Sequence, residues 1–384
     1  MVHSPQTSLT TPSSRPRSSR LVLATTVVIA AATTAAVLAQ AAKPAPAKAP
    51  ITLADQGSFA VGGAVLTNPG KFDPVNPTEA GQTVHGDHAY VMYQIPVNAH
   101  RLPLVMWHGG GQFSKTWETT PDGRDGYQNI FLRRGWSTYI MDQPRSGRAS
   151  RTLVLAARQP PTGVFGEQAI FLRFRIGQWP DYFPGSQFPR GAEALDQWWR
   201  QQVPNTANLD NEVFVASGVE LFKKIGPAIL LTHSASGVMG WHVAMRNDNV
   251  KAIVAYEPVG FTFPEGDVPA PIKTLDGDVT GVPVPLASFE KLTKIPIQIV
   301  YGDNVPATPS TNPALDAWRG RLEMTRRFVQ AVNAHGGHAE LLHLPEIGIK
   351  GNTHFPFADL NNMQIADLLS DWLRKQKLDG RGSH

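Results

Sequence analysis

The chain has 384 residues, of which 42% are hydrophobic and 17% charged, with a formal net charge of +4 and no cysteine. The lack of cysteine excludes disulfides, a thiolate metal site and a lipoprotein anchor, so a folded domain must rest on its hydrophobic core. No basic stripe interleaved with aromatic residues is present, and nucleic acid is not expected as a partner.

Residues 1–20 are polar and carry Arg15, Arg17 and Arg20 with no acidic residue, and residues 21–38 are almost entirely Ala, Val, Leu, Ile and Thr. Ala39-Gln40-Ala41 then supplies small residues spaced as at a signal-peptidase site. We read residues 1–41 as a signal peptide, because the Ala/Thr content makes the run weakly hydrophobic for a retained anchor. No Arg-Arg pair precedes the run, which favours ordinary secretion over the twin-arginine route. The expected location is periplasmic or extracellular, with no stable membrane insertion after cleavage. Removing three arginines and no acid takes the formal charge from +4 to +1. Residues 42–54, rich in Ala, Pro and Lys, read as a spacer before a domain at 55–384.

In that domain, strand-like apolar runs lie at Phe59–Leu66, Ala89–Ile95, Leu102–Trp107, Ser137–Met141, Ala228–Leu231, Ala252–Tyr256, Ile297–Tyr301 and Ala339–Leu344. Several are continuous rather than alternating, as strands buried on both faces require. Helical patterns fall at Val213–Lys224, Ser236–Arg246, Ala314–Ala334 and Asn361–Lys375. A hairpin-like start followed by strand–helix alternation predicts an α/β fold with a mostly parallel central sheet flanked by helices. Residues 151–211 break the rhythm, with Phe165, Phe171, Phe174, Trp179, Tyr182, Phe183, Phe188, Trp198 and Trp199 among prolines and glycines. A segment this long is either a packed loop with its own small core or a lid inserted over a binding site, and its place before the Ala228 strand favours the lid.

Catalytic groups in such a sheet gather at the carboxyl ends of the strands. Leu104-Val105-Met106-Trp107 runs into His108-Gly109-Gly110-Gly111, where glycines let a backbone amide point at a developing oxyanion. Ala228–Thr232 runs into His233-Ser234-Ala235-Ser236-Gly237, the layout of a nucleophile elbow, with Thr232 and Ser236 where glycines are usual. The competing reading of Ser234 is a simple helix cap. A serine needs a base, and His354 lies on the loop between the last strand and the last helix, while His108 suits the oxyanion loop and His343 falls inside a strand. Two acids can orient that base: Glu257, ending the strand after the elbow helix, and Asp303, following the next strand. No His-x-x-x-His or clustered carboxylate pattern suggests a metal, and no cofactor motif is present.

At these residues, over roughly 55–376, the chain resembles the α/β-hydrolase superfamily. More narrowly it is similar to secreted bacterial carboxylesterases with a Ser–His–Glu triad whose Glu follows strand six. The resemblance is carried by Thr116–Arg124, Gly135–Tyr139 with Asp142-Gln143, Glu257-Pro258 and Gly351–His354. It implies Ser234 as nucleophile, His354 as base, Glu257 as acid, and the amides of Gly110 and Ala235 as the oxyanion hole. The expected substrate is a small-molecule carboxylic ester with an apolar or aromatic moiety. A peptidase, amidase or thioesterase would use the same parts, whereas a silent hydrolase fold acting as a binding protein tends to lose one triad member, and this chain keeps a candidate for each.

Overall fold

Strands that must be covered on both faces set the middle of this molecule. In the computed structural model, residues 48–154 and 166–381 are described. Residues 1–47, on which the signal peptide and most of the spacer fall, lie outside the described residues, as do 155–165 of the aromatic-rich segment. Eight strands form one sheet: β1 (Leu53–Thr67), β2 (Thr83–Pro96), β3 (Leu104–Trp107), β4 (Thr138–Asp142), β5 (Ala228–His233), β6 (Val250–Tyr256), β7 (Pro296–Tyr301) and β8 (His338–His343). Their order is β1-β2-β4-β3-β5-β6-β7-β8. The pairs β1/β2 and β2/β4 are antiparallel and every later pair is parallel.

Every residue of β3 and β5 is buried. Within their continuous apolar runs the two-residue period still sorts side chains by face. Val105, Trp107, Leu230 and Ile253 join one core with Trp241 and Phe328. Leu104, Met106, Ile229 and Leu231 join the other with Leu369 and Leu373 of the last helix. β1 is largely exposed and extends beyond its expected bounds, because backbone pairing with β2 carries residues that no hydrophobic pattern marks.

Eight α-helices occur among the described residues: α1 (Tyr127–Arg133), α2 (Glu167–Arg173), α3 (Ala192–Arg200), α4 (Asn211–Ile225), α5 (Ser236–Arg246), α6 (Leu286–Leu292), α7 (Pro313–Ala334) and α8 (Asn362–Lys375). The four expected helices are the long ones. The other four have 7 to 9 residues, too short to show a repeating apolar stripe. Two of the long helices open on a side-chain cap. Asp210 accepts from the amides of Glu212 and Val213, and Asn312 caps α7 with Pro313 at its first position. Among the described residues no helix is long and apolar enough to cross a membrane.

The described part of the aromatic-rich segment is ordered around its own rings. Phe171, Phe188 and Trp198 are buried, with Phe188 edge-on to Trp198 at 5.2 Å and Phe171 edge-on to Tyr182 at 5.2 Å. The segment also reaches into the sheet's functional end.

Candidate active site

The elbow forms at the carboxyl end of β5. Ser234 follows His233 with φ +55°, a left-handed conformation that a non-glycine residue adopts only when its surroundings enforce it. The enforcement is visible. Ser234 donates its amide to Tyr256 O at 2.9 Å on β6, and its carbonyl accepts from Gly237 N at 3.1 Å. Ser236 Oγ accepts from His233 N at 2.9 Å and shares its proton between the carbonyls of Trp107 and His233, both at 3.0 Å. Thr232 fits where a glycine is usual because the opposing helix has the glycine instead: a Cβ on Gly240 would sit 2.8 Å from the Thr232 methyl.

The glycine loop after β3 packs directly on this turn. A Cβ on Gly109 would lie 2.9 Å from both Ser234 Cβ and His233 Nδ1, so only glycine allows that approach. His108 is buried; its Nε2 accepts from Gln143 N at 3.2 Å, which leaves Nδ1 to donate to Gly109 O at 2.8 Å and shape the loop. Gly110 lies against Ala235, close enough that a Cβ on Gly110 would stand 3.6 Å from the Ala235 methyl. Among the described residues the amides of Gly110 and Ala235 have no hydrogen-bond acceptor, so both are open to a ligand oxygen.

Glu257 and Asp303, the two acids that spacing left open, have different surroundings. Glu257 directly follows β6, beside β5, and is fully buried. Its Oε2 accepts from His354 Nδ1 at 2.7 Å, while Oε1 accepts from Gly302 N at 2.7 Å and from Arg175 Nη2. Asp303 instead accepts from Gly351 N and Asn304 N, each at 2.7 Å, and ties the loop after β7 to the loop bearing His354. A Cβ on Gly302 would stand 3.0 Å from Glu257 Oε1 and 2.6 Å from two carbonyls, which explains the glycine there.

His354 is wholly buried among rings: Trp318 at 4.5 Å, His233 at 4.5 Å and Phe174 stacked at 4.8 Å. Burial is the largest influence on its pKa and lowers it; Glu257 pulls it back up, Arg175 and Arg321 lower it again, and it settles at about 4. Burial alone would raise the Glu257 pKa, but Arg175 and then His354 outweigh that and hold it well below the ordinary value. The resting pair is therefore a carboxylate with a neutral imidazole protonated on Nδ1. Nε2 is buried without a hydrogen-bond partner among the described residues. No hydrogen bond joins Ser234 Oγ to that nitrogen.

Residues that sequence reasoning missed hold this pair in place. Arg175, fully buried, donates to Glu257 and, from Nε, to Asp303 O at 2.8 Å, with its guanidinium 4.6 Å from the Trp318 ring. Phe174 O accepts from the His354 amide at 3.0 Å. Asp359 accepts from Thr353 N, Thr353 Oγ1 and Asn352 Nδ2 at 2.7–3.0 Å and braces the same loop, and burial pushes its carboxyl up to about 7. Arg175 is 82 residues from Glu257 in the chain, so no local pattern could pair them.

Ser234, Ala235, Gly110 and Gly111 open onto a cavity of about 520 Å³. Its walls come largely from the aromatic-rich segment, including Ile170, Phe174, Trp199 and Leu209, with Val259 and Trp318 also lining it. The far end of that segment is pinned to the glycine loop by Val203 N to Gly111 O at 2.9 Å and by Gln112 Nε2 to Gln202 Oε1 at 2.6 Å.

A mostly parallel sheet in this order, with a strained serine turn and a His–carboxylate pair at its carboxyl edge, defines an α/β-hydrolase. Known proteins of similar sequence and structure agree. No protein-family model matches the chain. A solved bacterial esterase is 34% identical, with a TM-score of 0.70, over 86% of this chain and 99% of its own. A curated relative, the probable secreted lipase phiG of a fungal species, is 28% identical over 313 residues, 75% of this chain and 86% of that protein. The chain belongs to the α/β-hydrolase superfamily, among its enzymes that act on ester bonds.

Proposed function

We propose that the protein is an exported serine carboxylesterase working through a Ser234 acyl-enzyme, with His354 as base and Glu257 as orienting acid. The observation that carries this reading is the 2.7 Å His354 Nδ1–Glu257 Oε2 hydrogen bond at the carboxyl end of the strand beside the Ser234 turn. In the reaction Ser234 Oγ attacks the ester carbonyl and loses its proton to His354 Nε2. The amides of Gly110 and Ala235 take the oxyanion, each worth roughly 10²–10³ in rate. The imidazolium, stabilised by Glu257, returns the proton to the leaving alcohol, and water repeats the cycle on the acyl-enzyme. The apolar cavity walls suit an apolar or aromatic group on a small-molecule ester, with residues 151–211 as its lid. Export is supported by the pattern of residues 1–41 and by the name of the secreted relative.

Fluorophosphonate labelling followed by peptide mass spectrometry tests the nucleophile. Modification is expected at Ser234, and labelling at any other serine with Ser234 untouched refutes the assignment. A panel of p-nitrophenyl esters of graded acyl bulk, run beside a matched amide, tests the bond type; faster cleavage of the amide would make the protein an amidase.

The acid limb of kcat/KM follows from the His354 environment. The base works only when neutral, and its pKa is lowered, so activity persists as pH falls and is lost only below the histidine range. The midpoint of that limb is expected below about 6.5, the ordinary histidine value. A midpoint at or above that value would show a different base.

A further inference from the structure

Three arginines surround Trp318 beside the reaction centre, and they are not equivalent. Arg175 is neutralised by Glu257. Arg173 faces Asp276 at 3.3 Å. Arg321, one turn beyond Trp318 on α7, lines the cavity with its guanidinium 4.6 Å from the Trp318 ring. Among the described residues its side chain makes no salt bridge or hydrogen bond, and Asp276, already paired with Arg173, acts on it only at longer range. The same Trp318 ring lies 4.5 Å from the ring of His354, so Arg321 and the base share one neighbour. Arg321 is partly buried, and desolvation, with the neighbouring cations Arg173 and Arg175, lowers its pKa from the ordinary arginine value by more than Tyr301 and Asp276 raise it. Glu167, the acidic side chain lining the cavity, is exposed and does not pair with it.

Resting on the esterase reading above, we propose that Arg321 is a substrate-binding residue and that the preferred substrates are esters carrying a carboxylate. The planar guanidinium presents a donor fork that matches a carboxylate with two parallel hydrogen bonds, while stacking on Trp318 keeps it oriented. Ile170, Phe174, Trp199 and Val259 then take the hydrocarbon between the carboxylate and the scissile bond. The reaction is ordinary ester hydrolysis: water adds across the acyl–oxygen bond, and the distal carboxylate takes no part except to anchor the substrate.

The test compares monoethyl esters of succinate, glutarate and adipate with neutral ethyl esters in which an isopropyl group replaces the terminal carboxylate. Acetyl esters of hydroxy acids against acetyl esters of simple alcohols cover a carboxylate on the alcohol side. In wild type, kcat/KM is expected to favour the charged member of at least one pair by about ten- to hundredfold, the worth of a charged hydrogen-bonded contact. Arg321→Met should erase most of that preference through KM, and Arg321→Lys should restore part of it. A merely structural role would lower both members of a pair together and leave the ratio unchanged. Cleavage of the neutral esters without preference, or a preference that survives Arg321→Met, overturns the anion subsite and leaves the esterase reading standing. Cleavage of neither set, with Ser234 unlabelled by fluorophosphonate, overturns the esterase reading itself.

Discussion

Replacing Ser234 by alanine is expected to lower kcat for ester hydrolysis by about 10⁶-fold, the loss seen when a triad nucleophile is removed. The residual rate would come from the oxyanion amides and from binding alone. The variant should fold as wild type. The backbone bonds that impose the turn, Ser234 N to Tyr256 O and Gly237 N to Ser234 O, do not involve the hydroxyl. Alanine suffers the same left-handed strain as serine, and the loop glycine Gly109 packs on Cβ, which alanine keeps. Initial rates on a p-nitrophenyl ester with a thermal melt alongside check this. An unchanged melting temperature with kcat within tenfold of wild type would remove Ser234 from the chemistry.

Glu257→Gln is expected to cost about 10⁴-fold in kcat, and Asp303→Asn less than tenfold. The Glu257 carboxylate accepts on both oxygens, from His354 on one and from Gly302 and Arg175 on the other. A glutamine offers only one acceptor oxygen. If it serves Gly302 and Arg175, the amide nitrogen meets His354 Nδ1 and selects the wrong tautomer, with the proton on Nε2. The substitution also leaves Arg175 a buried cation without its counter-charge, a change that destabilises by about 3–5 kcal/mol. Melting temperature must therefore be read with rate. A folded Glu257→Gln variant retaining near wild-type kcat, or a larger kcat loss in Asp303→Asn, would move the acid's role to Asp303. Asp303→Asn keeps an oxygen for either Gly351 or Asn304 and touches no imidazole nitrogen, hence the small expected effect.

Much of the architecture was legible because it depends on neighbours along the chain. The continuous run of β5 and the apolar stripe of α8 both act within a few residues. The short helices α1, α2, α3 and α6 were not legible, since two turns carry too little periodicity and their helicity is supported by packing. The aromatic segment was recognisable as unusual, but its aromatic composition alone did not tell that Phe174 and Arg175 would reach the His–Glu pair.

The sequence by itself determined the sheet order's raw material, the serine turn after β5, the glycine loop after β3 and a histidine on the last loop, because backbone geometry at a strand end is a local property. Only the tertiary structure decided what those groups touch. It set Glu257 against His354 and Asp303 against Gly351, gave Thr232 its room through Gly240, and brought Arg175 to Glu257 across 82 residues. It also left Arg321 beside the cavity without a salt bridge among the described residues, Asp276 being paired with Arg173. The physical reason is that charge pairing and desolvation are set by distances through space, which chain spacing does not encode.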